Sequence, residues 1–209
     1  MIVVIEENNA RQYSNLVDKM HRLRARVFHD RLGWDVRVVD GKERDKYDDE
    51  GPVYIIYTDD EAREVIGSMR LLPTTGPTLL ADCFADTIPD AALLSAPTIW
   101  EVTRFCIDDR LLDRGSTDGL FFTTSVMIAA LGDVAVGAGI ESIVANFDTS
   151  ALRLYRRVGC EIDILGSTLR YGTPIYLGLF PVSKFLLGNL KRRLTNVRPE
   201  FEGMEKLAA

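Results

Sequence analysis

Thr98-Ile99-Trp100-Glu101-Val102-Thr103-Arg104-Phe105-Cys106-Ile107 reads as a strand, rich in β-branched and aromatic residues. Residues 120–137 follow, opening Leu120-Phe121-Phe122-Thr123-Thr124-Ser125-Val126-Met127-Ile128, apolar on so much of their circumference that a buried helix is predicted. Residues 141–147 then predict a strand, and 150–158 a basic amphipathic helix. Working outward, residues 2–5 are a short first strand. Residues 9–29 carry Tyr13, Leu16, Met20, Leu23, Val27 and Phe28 at helical spacing. Residues 30–52 are polar and hold Gly33, Gly41, Gly51 and Pro52, which predicts a long loop with little regular structure. Loops of that length in compact domains are usually functional or mobile. Residues 53–57 and 65–72 predict paired strands around Thr58-Asp59-Asp60-Glu61, and 79–84 one helical turn. Downstream, 162–165 and 174–180 are strands and 183–194 a helix. This order describes an α/β (α+β layered) domain, a mixed central sheet flanked by helices. No GxGxxG, P-loop, internal repeat or low-complexity segment occurs.

The order of a central strand, long helix, strand and helix resembles the GCN5-related N-acetyltransferase fold. That resemblance implies two adjacent central strands that splay into a V, which admits the pantetheine arm of a thioester carrier.

The chain has 209 residues, 46% hydrophobic and 27% charged, enough for one core-bearing domain, expected over 1–198 with a frayed tail at 199–209. Cys83, Cys106 and Cys160 are odd in number and lack CxxC spacing, so free thiols are the simpler reading. The start, Met1-Ile2-Val3-Val4-Ile5-Glu6-Glu7, lacks a basic n-region and a sufficient apolar run for a signal peptide. The apolar stretch 126–140 contains Asp133 and reads as too short to span a bilayer. A soluble, cytoplasmic protein with no membrane partner is expected. The net charge of −6 disfavours nucleic acid as a partner. Its distribution is uneven. Residues 1–150 carry 15 Lys/Arg and 26 Asp/Glu, whereas 151–198 carry 9 and 2. The basic part suits an acidic partner, or is a set of solvated helix faces.

Within the predicted strands lie charges that amphipathic periodicity does not explain: Arg70 in Met69-Arg70-Leu71-Leu72, and Glu101 with Arg104. With Arg24, Phe28, Trp34, Asp45 and Asp48 they form a polar and aromatic set suited to a charged small molecule. Individually each has a plainer reading. Arg24 is a helix surface charge, Trp34 a cap on the core, and Asp45 and Asp48 part of a solvated run. Side chains alternate along a regular strand, so Glu101 and Arg104 point to opposite faces. A β-bulge within residues 101–105 is predicted, because it brings both to one site.

Arg24-x-x-x-Phe28, Gly33-Trp34, Asp45-x-x-Asp48, Arg70 and Glu101-x-x-Arg104 together resemble the acyl-homoserine-lactone synthase family, the LuxI-type autoinducer synthases. The resemblance is densest over residues 20–110 and continues more loosely to about 180. It implies a quorum-sensing signal synthase. S-adenosylmethionine is N-acylated by a thioester on acyl carrier protein or coenzyme A, then lactonised with release of 5′-methylthioadenosine. No cofactor or metal is implied, since S-adenosylmethionine is consumed. Glu101, Arg104, Arg70, Arg24, Asp45 and Asp48 become the catalytic candidates, with Glu101 the candidate base. Phe28 and Trp34, with Arg24, Asp45 and Arg104, become the S-adenosylmethionine contacts. The acyl and oxyanion region is assigned to Phe105, Phe84, Met127 and Asn146, and donor docking to Arg153, Arg156 and Lys191. A monomer is favoured.

Two other readings stay open. An ordinary acetyl-CoA N-acetyltransferase normally carries an Arg/Gln-x-x-Gly-x-Gly/Ala loop after its central strand. Here that segment is Asp109-Arg110-Leu111-Leu112-Asp113-Arg114-Gly115-Ser116-Thr117. A non-enzymatic small-molecule sensor on the same fold is the other.

Overall fold

The computed structural model describes residues 1–112, 117–170 and 172–197. In chain order the elements are β1 (Ile2–Ile5), α1 (Ser14–Arg24), a π-helical turn (Ala25–Arg31), β2 (Val38–Val39) and β3 (Lys42–Glu43). A 3-10 turn (Lys46–Asp49), β4 (Val53–Thr58), β5 (Val65–Pro73), α2 (Leu79–Cys83) and β6 (Ile99–Ile107) follow. The second half holds α3 (Thr117–Gly137), β7 (Ser142–Asp148), α4 (Thr149–Val158), β8 (Asp163–Thr168), β9 (Ile175–Pro181) and α5 (Lys184–Val197). The tail expected to fray, 199–209, lies outside the described residues.

The main sheet has the order β1-β4-β5-β6-β7-β9-β8, and β6–β7 is its parallel pair. That pair is short. It joins Ile99 to Ser142, Trp100 to Ile143 and Glu101 to Val144, after which each strand runs on without the other. The strands therefore part, which is the expected V. One face of the sheet is covered by α1 and the turns around it, with Val3, Ile5, Leu23, Phe28, Tyr54 and Ile56 packed together. The other is covered by α3 and α5, through Ile55, Leu71, Val102, Val126, Met127 and Leu194.

The bulge is present. β5 and β6 pair Ser68 with Cys106 and then Arg70 with Thr103, so Met69 stands against two residues, Arg104 and Phe105. Arg104 has φ +53°, the left-handed region that a bulge can impose. Alternation is broken there, and Glu101, Thr103 and Arg104 all reach the α1 side while Val102 and Phe105 face α3.

Residues 30–52 are more ordered than the predicted loop. Asp40-Gly41 closes the β2–β3 ribbon with φ of +53° and +73°, the two-residue hairpin turn for which Asp-Gly is a known signal. The apolar helix is also longer than the run 126–140 suggests. Residues Gly119–Gly137 are long and apolar enough to cross a membrane by composition, yet they form a core helix, half buried within the protein. Met127 is fully buried there. A Cβ on Gly67 would lie 2.5 Å from its Sδ, so glycine at that point of β5 is what lets α3 approach.

Candidate active site

Six charged side chains meet on the α1 face of β5 and β6. Arg24, in the last turn of α1, donates from Nε to Glu43 Oε2 at 2.5 Å and from both terminal nitrogens to Asp48, at 2.8 and 2.9 Å. Arg70 donates to Asp45 Oδ1 and Oδ2, to Asp48 Oδ1 at 2.9 Å, and from Nε to Thr103 Oγ1 at 3.0 Å. Arg104 donates to Glu43 Oε1 at 3.1 Å and Asp45 Oδ2 at 2.8 Å. Three guanidinium groups thus oppose three carboxylates, and the network is neutral. The acids are placed by local chemistry. Asp45 caps the 3-10 turn by accepting from Tyr47 N–H, and Asp48 reaches back to accept from Asp45 N–H at 2.9 Å, a capping box. The Tyr54 hydroxyl donates to Asp48 at 2.8 Å. Burial alone would raise the Asp48 carboxyl, but Arg24 and Arg70 more than reverse this and hold it far below the usual range.

The network is closed on one side and open on the other. Arg24, Glu43, Asp48 and Arg70 side chains are at most 1% exposed, whereas Arg104 is 10% and Asp45 19% exposed. The open edge adjoins an aromatic pair. Phe28 is buried, stacks on Trp34 at 5.0 Å between centroids, and lies 5.5 Å from the Arg104 guanidinium carbon. Trp34 is half exposed and is the aromatic surface that faces outward.

Glu101 joins the same face, but its carboxylate is not open to a substrate. Leu79 N–H donates to Oε2 at 2.9 Å and Leu80 N–H to Oε1 at 2.6 Å. Burial raises its carboxyl to about 7, against the opposing pull of those two N–H groups.

Across the sheet, a cavity of about 190 Å³ lies between α3, α5 and the parted strands, lined by Val102, Phe105, Leu131, Ala145, Tyr155 and Leu187 among others. Of the four residues expected around the acyl group, Phe105 lines it. Met127 turns to Gly67 instead. Asn146 alternates with Ala145 and faces the other side, where Nδ2 donates to Thr87 Oγ1 at 3.4 Å. Phe84 packs beneath the network against Tyr47, Leu72 and Leu79. Arg104 and Phe105, neighbours in the bulge, therefore connect the polar network on one side to the apolar cavity on the other. Of the expected docking residues, Arg153 and Arg156 are exposed on α4, while Lys191 is ion-paired to Asp133 of α3 at 3.0 Å.

Sequence reasoning missed Glu43, Tyr54, Thr103 and the Tyr47–Asp82 pair. Glu43 is 0% exposed in the middle of a charged run whose default reading is solvated. Its signal was position: it leads directly into the Asp45–Asp48 motif.

The family model described as Autoinducer synthase matches residues 7–186 of this chain. The acyl-homoserine-lactone synthase of Rhizobium etli is 37% identical over 187 residues, covering 87% of this chain and 86% of the relative. The solved structure of BjaI, a CoA-dependent acyl-homoserine lactone synthase with SAM and isopentyl-CoA, superposes with a TM-score of 0.79 at 28% identity, covering 93% of this chain and 89% of that one. A putative N-acetyltransferase from Lactobacillus plantarum shares the fold alone, at 16% identity and a TM-score of 0.56 over 87% of this chain and 99% of its own.

Proposed function

The chain belongs to the autoinducer synthase family and is an acyl-homoserine-lactone synthase, an acyltransferase that makes a quorum-sensing signal; from that premise we propose how its site works. S-adenosylmethionine binds at the open edge of the network. The supporting observation is the back-to-back arrangement of a neutral, prebuilt ion network and an apolar cavity, joined through the Arg104 bulge. Asp45 faces the substrate ammonium, Arg104 its carboxylate, and Trp34 its adenine ring or sulfonium, the last through a cation–π contact of about 0.5–2 kcal/mol. Because Arg24 and Arg70 are saturated by Glu43, Asp45 and Asp48, they act by holding the acids in place. Three paired charges need no rearrangement when the substrate arrives, which is the form electrostatic preorganisation takes.

The acyl thioester enters through the V, its chain in the cavity beside Phe105 and Leu187. The substrate amine, once neutral, attacks the thioester carbon; the C–N bond forms, the C–S bond breaks, and the amine proton leaves with the thiol. A free α-amine has a pKa of about 7.7–8.0, so a useful fraction is neutral at physiological pH. Arg104 and Phe105 have no ladder partner on β5 or β7, so their main chain is the candidate donor to the thioester oxygen. The substrate carboxylate then attacks Cγ, the C–O bond forms, and the sulfur departs as neutral 5′-methylthioadenosine. This step is mainly positioning.

Acyl carrier protein is the preferred donor in this reading, supported by exposed Arg153 and Arg156 in the basic part of the chain. Acyl-CoA is the second reading, favoured by the likeness to the CoA-dependent BjaI. A cytoplasmic location fits both, and Cys83, Cys106 and Cys160 being joined in no disulfide is consistent with it. Incubation of the protein with S-adenosylmethionine and panels of acyl carrier proteins and acyl-CoAs, read by mass spectrometry, tests the proposal. Acyl-homoserine lactone with methylthioadenosine is expected, and the productive panel names the donor. Absence of both products from every donor would overturn it.

A further inference from the structure

We propose that Glu101 serves this reaction as a positioning residue: its carboxylate ties the first turn of α2 to the central strand and thereby holds the turn that carries Asp45 and Asp48. The inference rests on the synthase reading above and assigns Glu101 a role other than proton acceptor.

α2 is five residues long, too short to persist without outside support. The first N–H groups of any helix have no partner within it. Here Leu79 N–H and Leu80 N–H both go to Glu101, and Ala81 N–H goes to Thr78 Oγ1 at 3.1 Å. Glu101 is 1% exposed. A general base needs an oxygen in reach of the proton it takes. Each Glu101 oxygen instead faces a main-chain N–H, so neither is turned toward a substrate amine.

The far end of α2 shows what the tether transmits. Asp82 accepts from the Tyr47 hydroxyl at 2.8 Å and from Lys46 Nζ at 2.6 Å. Tyr47 is 3% exposed, and the Arg70 guanidinium carbon lies 5.4 Å from its ring centroid. Tyr47 also sits inside the capping box, between Asp45 and Asp48. A continuous path therefore runs from Glu101 through α2 and Asp82 to Tyr47 and the two acids. Loss of the tether lets the acidic turn shift, and Asp45 is the carboxylate at the open edge.

The test compares Glu101→Gln, Tyr47→Phe and Asp82→Asn with the parent chain, by steady-state kinetics across pH and by amide exchange at Leu79 and Leu80. The glutamine keeps one acceptor of two. Expected are faster exchange at Leu79 and Leu80, a KM for S-adenosylmethionine raised roughly tenfold or more, and an unmoved acid limb of the pH–rate profile. Tyr47→Phe and Asp82→Asn are expected to raise the same KM, to a smaller degree. A fall in kcat of about 10²–10⁴-fold in Glu101→Gln, with exchange unchanged or the acid limb abolished, would overturn the proposal in favour of a base. So would silence of both distal variants in KM and exchange, which also decides the matter if Glu101→Gln fails to fold. A parent chain that makes no lactone would instead defeat the synthase reading, and exchange in Glu101→Gln would still report on the tether.

Discussion

Arg104 holds φ +53° in the middle of a strand, a conformation that costs an L residue roughly 1–2 kcal/mol. The compensation is local, through Glu43 and Asp45. Glycine relieves the backbone but not the lost ion pairs, whereas alanine relieves neither. Arg104→Ala is therefore expected to melt below Arg104→Gly, by about 1 kcal/mol, with both well below the parent in lactone synthesis; an inverted order would show that the bulge is unstrained. A second expectation concerns pH. Glu101 has its carboxyl raised from 4.5 to about 7 by burial, so the folded state keeps a proton that the unfolded chain releases. Stability should fall between pH 4.5 and 7, by roughly 3 kcal/mol. Asp48 is depressed, so its contribution is complete above pH 3.8 and lost below it. Thermal melts should thus peak near pH 5 in roughly neutral-salt buffer, and Glu101→Gln should flatten the neutral side alone. At this scale the sequence was informative about which charged residues come together and silent about how they engage one another. Arg24, Asp45, Asp48, Arg70 and Arg104 do meet, but nothing in a charged run such as Lys42-Glu43-Arg44-Asp45 distinguishes a buried Glu43 from a solvated one. Only the partners brought by α1 and β6 decide that.

Among the elements, β6, α3, β7 and α4 were legible because their apolar periods are long and flanked by turn residues. The bulge in β6 was legible too, as the condition under which Glu101 and Arg104 share a face. The short acidic 3-10 turn was not, since it has no apolar period and is held by ion pairs distant in sequence, and the segment Ala25–Arg31 reads as plain continuation of the first helix, because Val27 and Phe28 keep its spacing, not as the π-helical turn it forms. The cavity, likewise, depends on how α5 meets α3. A Cβ on Gly132 would lie 2.9 Å from Leu187 Cδ1, the flexible end of a side chain that also lines the cavity. Gly132→Ala is expected to fold, with a stability change within about 1 kcal/mol. It should shift the product mixture toward shorter acyl chains, which mass spectrometry of competing donors would show. An unchanged distribution would place the end of the acyl chain away from α5.

For the molecule as a whole, the acidic first part and the basic remainder are visible by counting, yet counting does not say which charges are available. Lys191 is occupied by Asp133, while Arg153 and Arg156 point outward from α4. Reversal of the latter pair, Arg153→Glu with Arg156→Glu, should raise KM for a carrier-protein donor several-fold, more at low salt than high, since exposed charges are screened within about 8–10 Å. The same KM in parent and variant would remove this face from donor docking. The three residue pairs between β6 and β7 have a consequence of another kind. With the bonds that Glu141 N–H and Ser142 N–H donate to Thr98 O, they form the short backbone seam, among the described residues, between β1-β4-β5-β6 and β7-β9-β8. A sheet fastened so briefly at its centre is held across its middle less by its ladder than by side chains, since Val102 of one half and Ile143 of the other belong to a single core under α3.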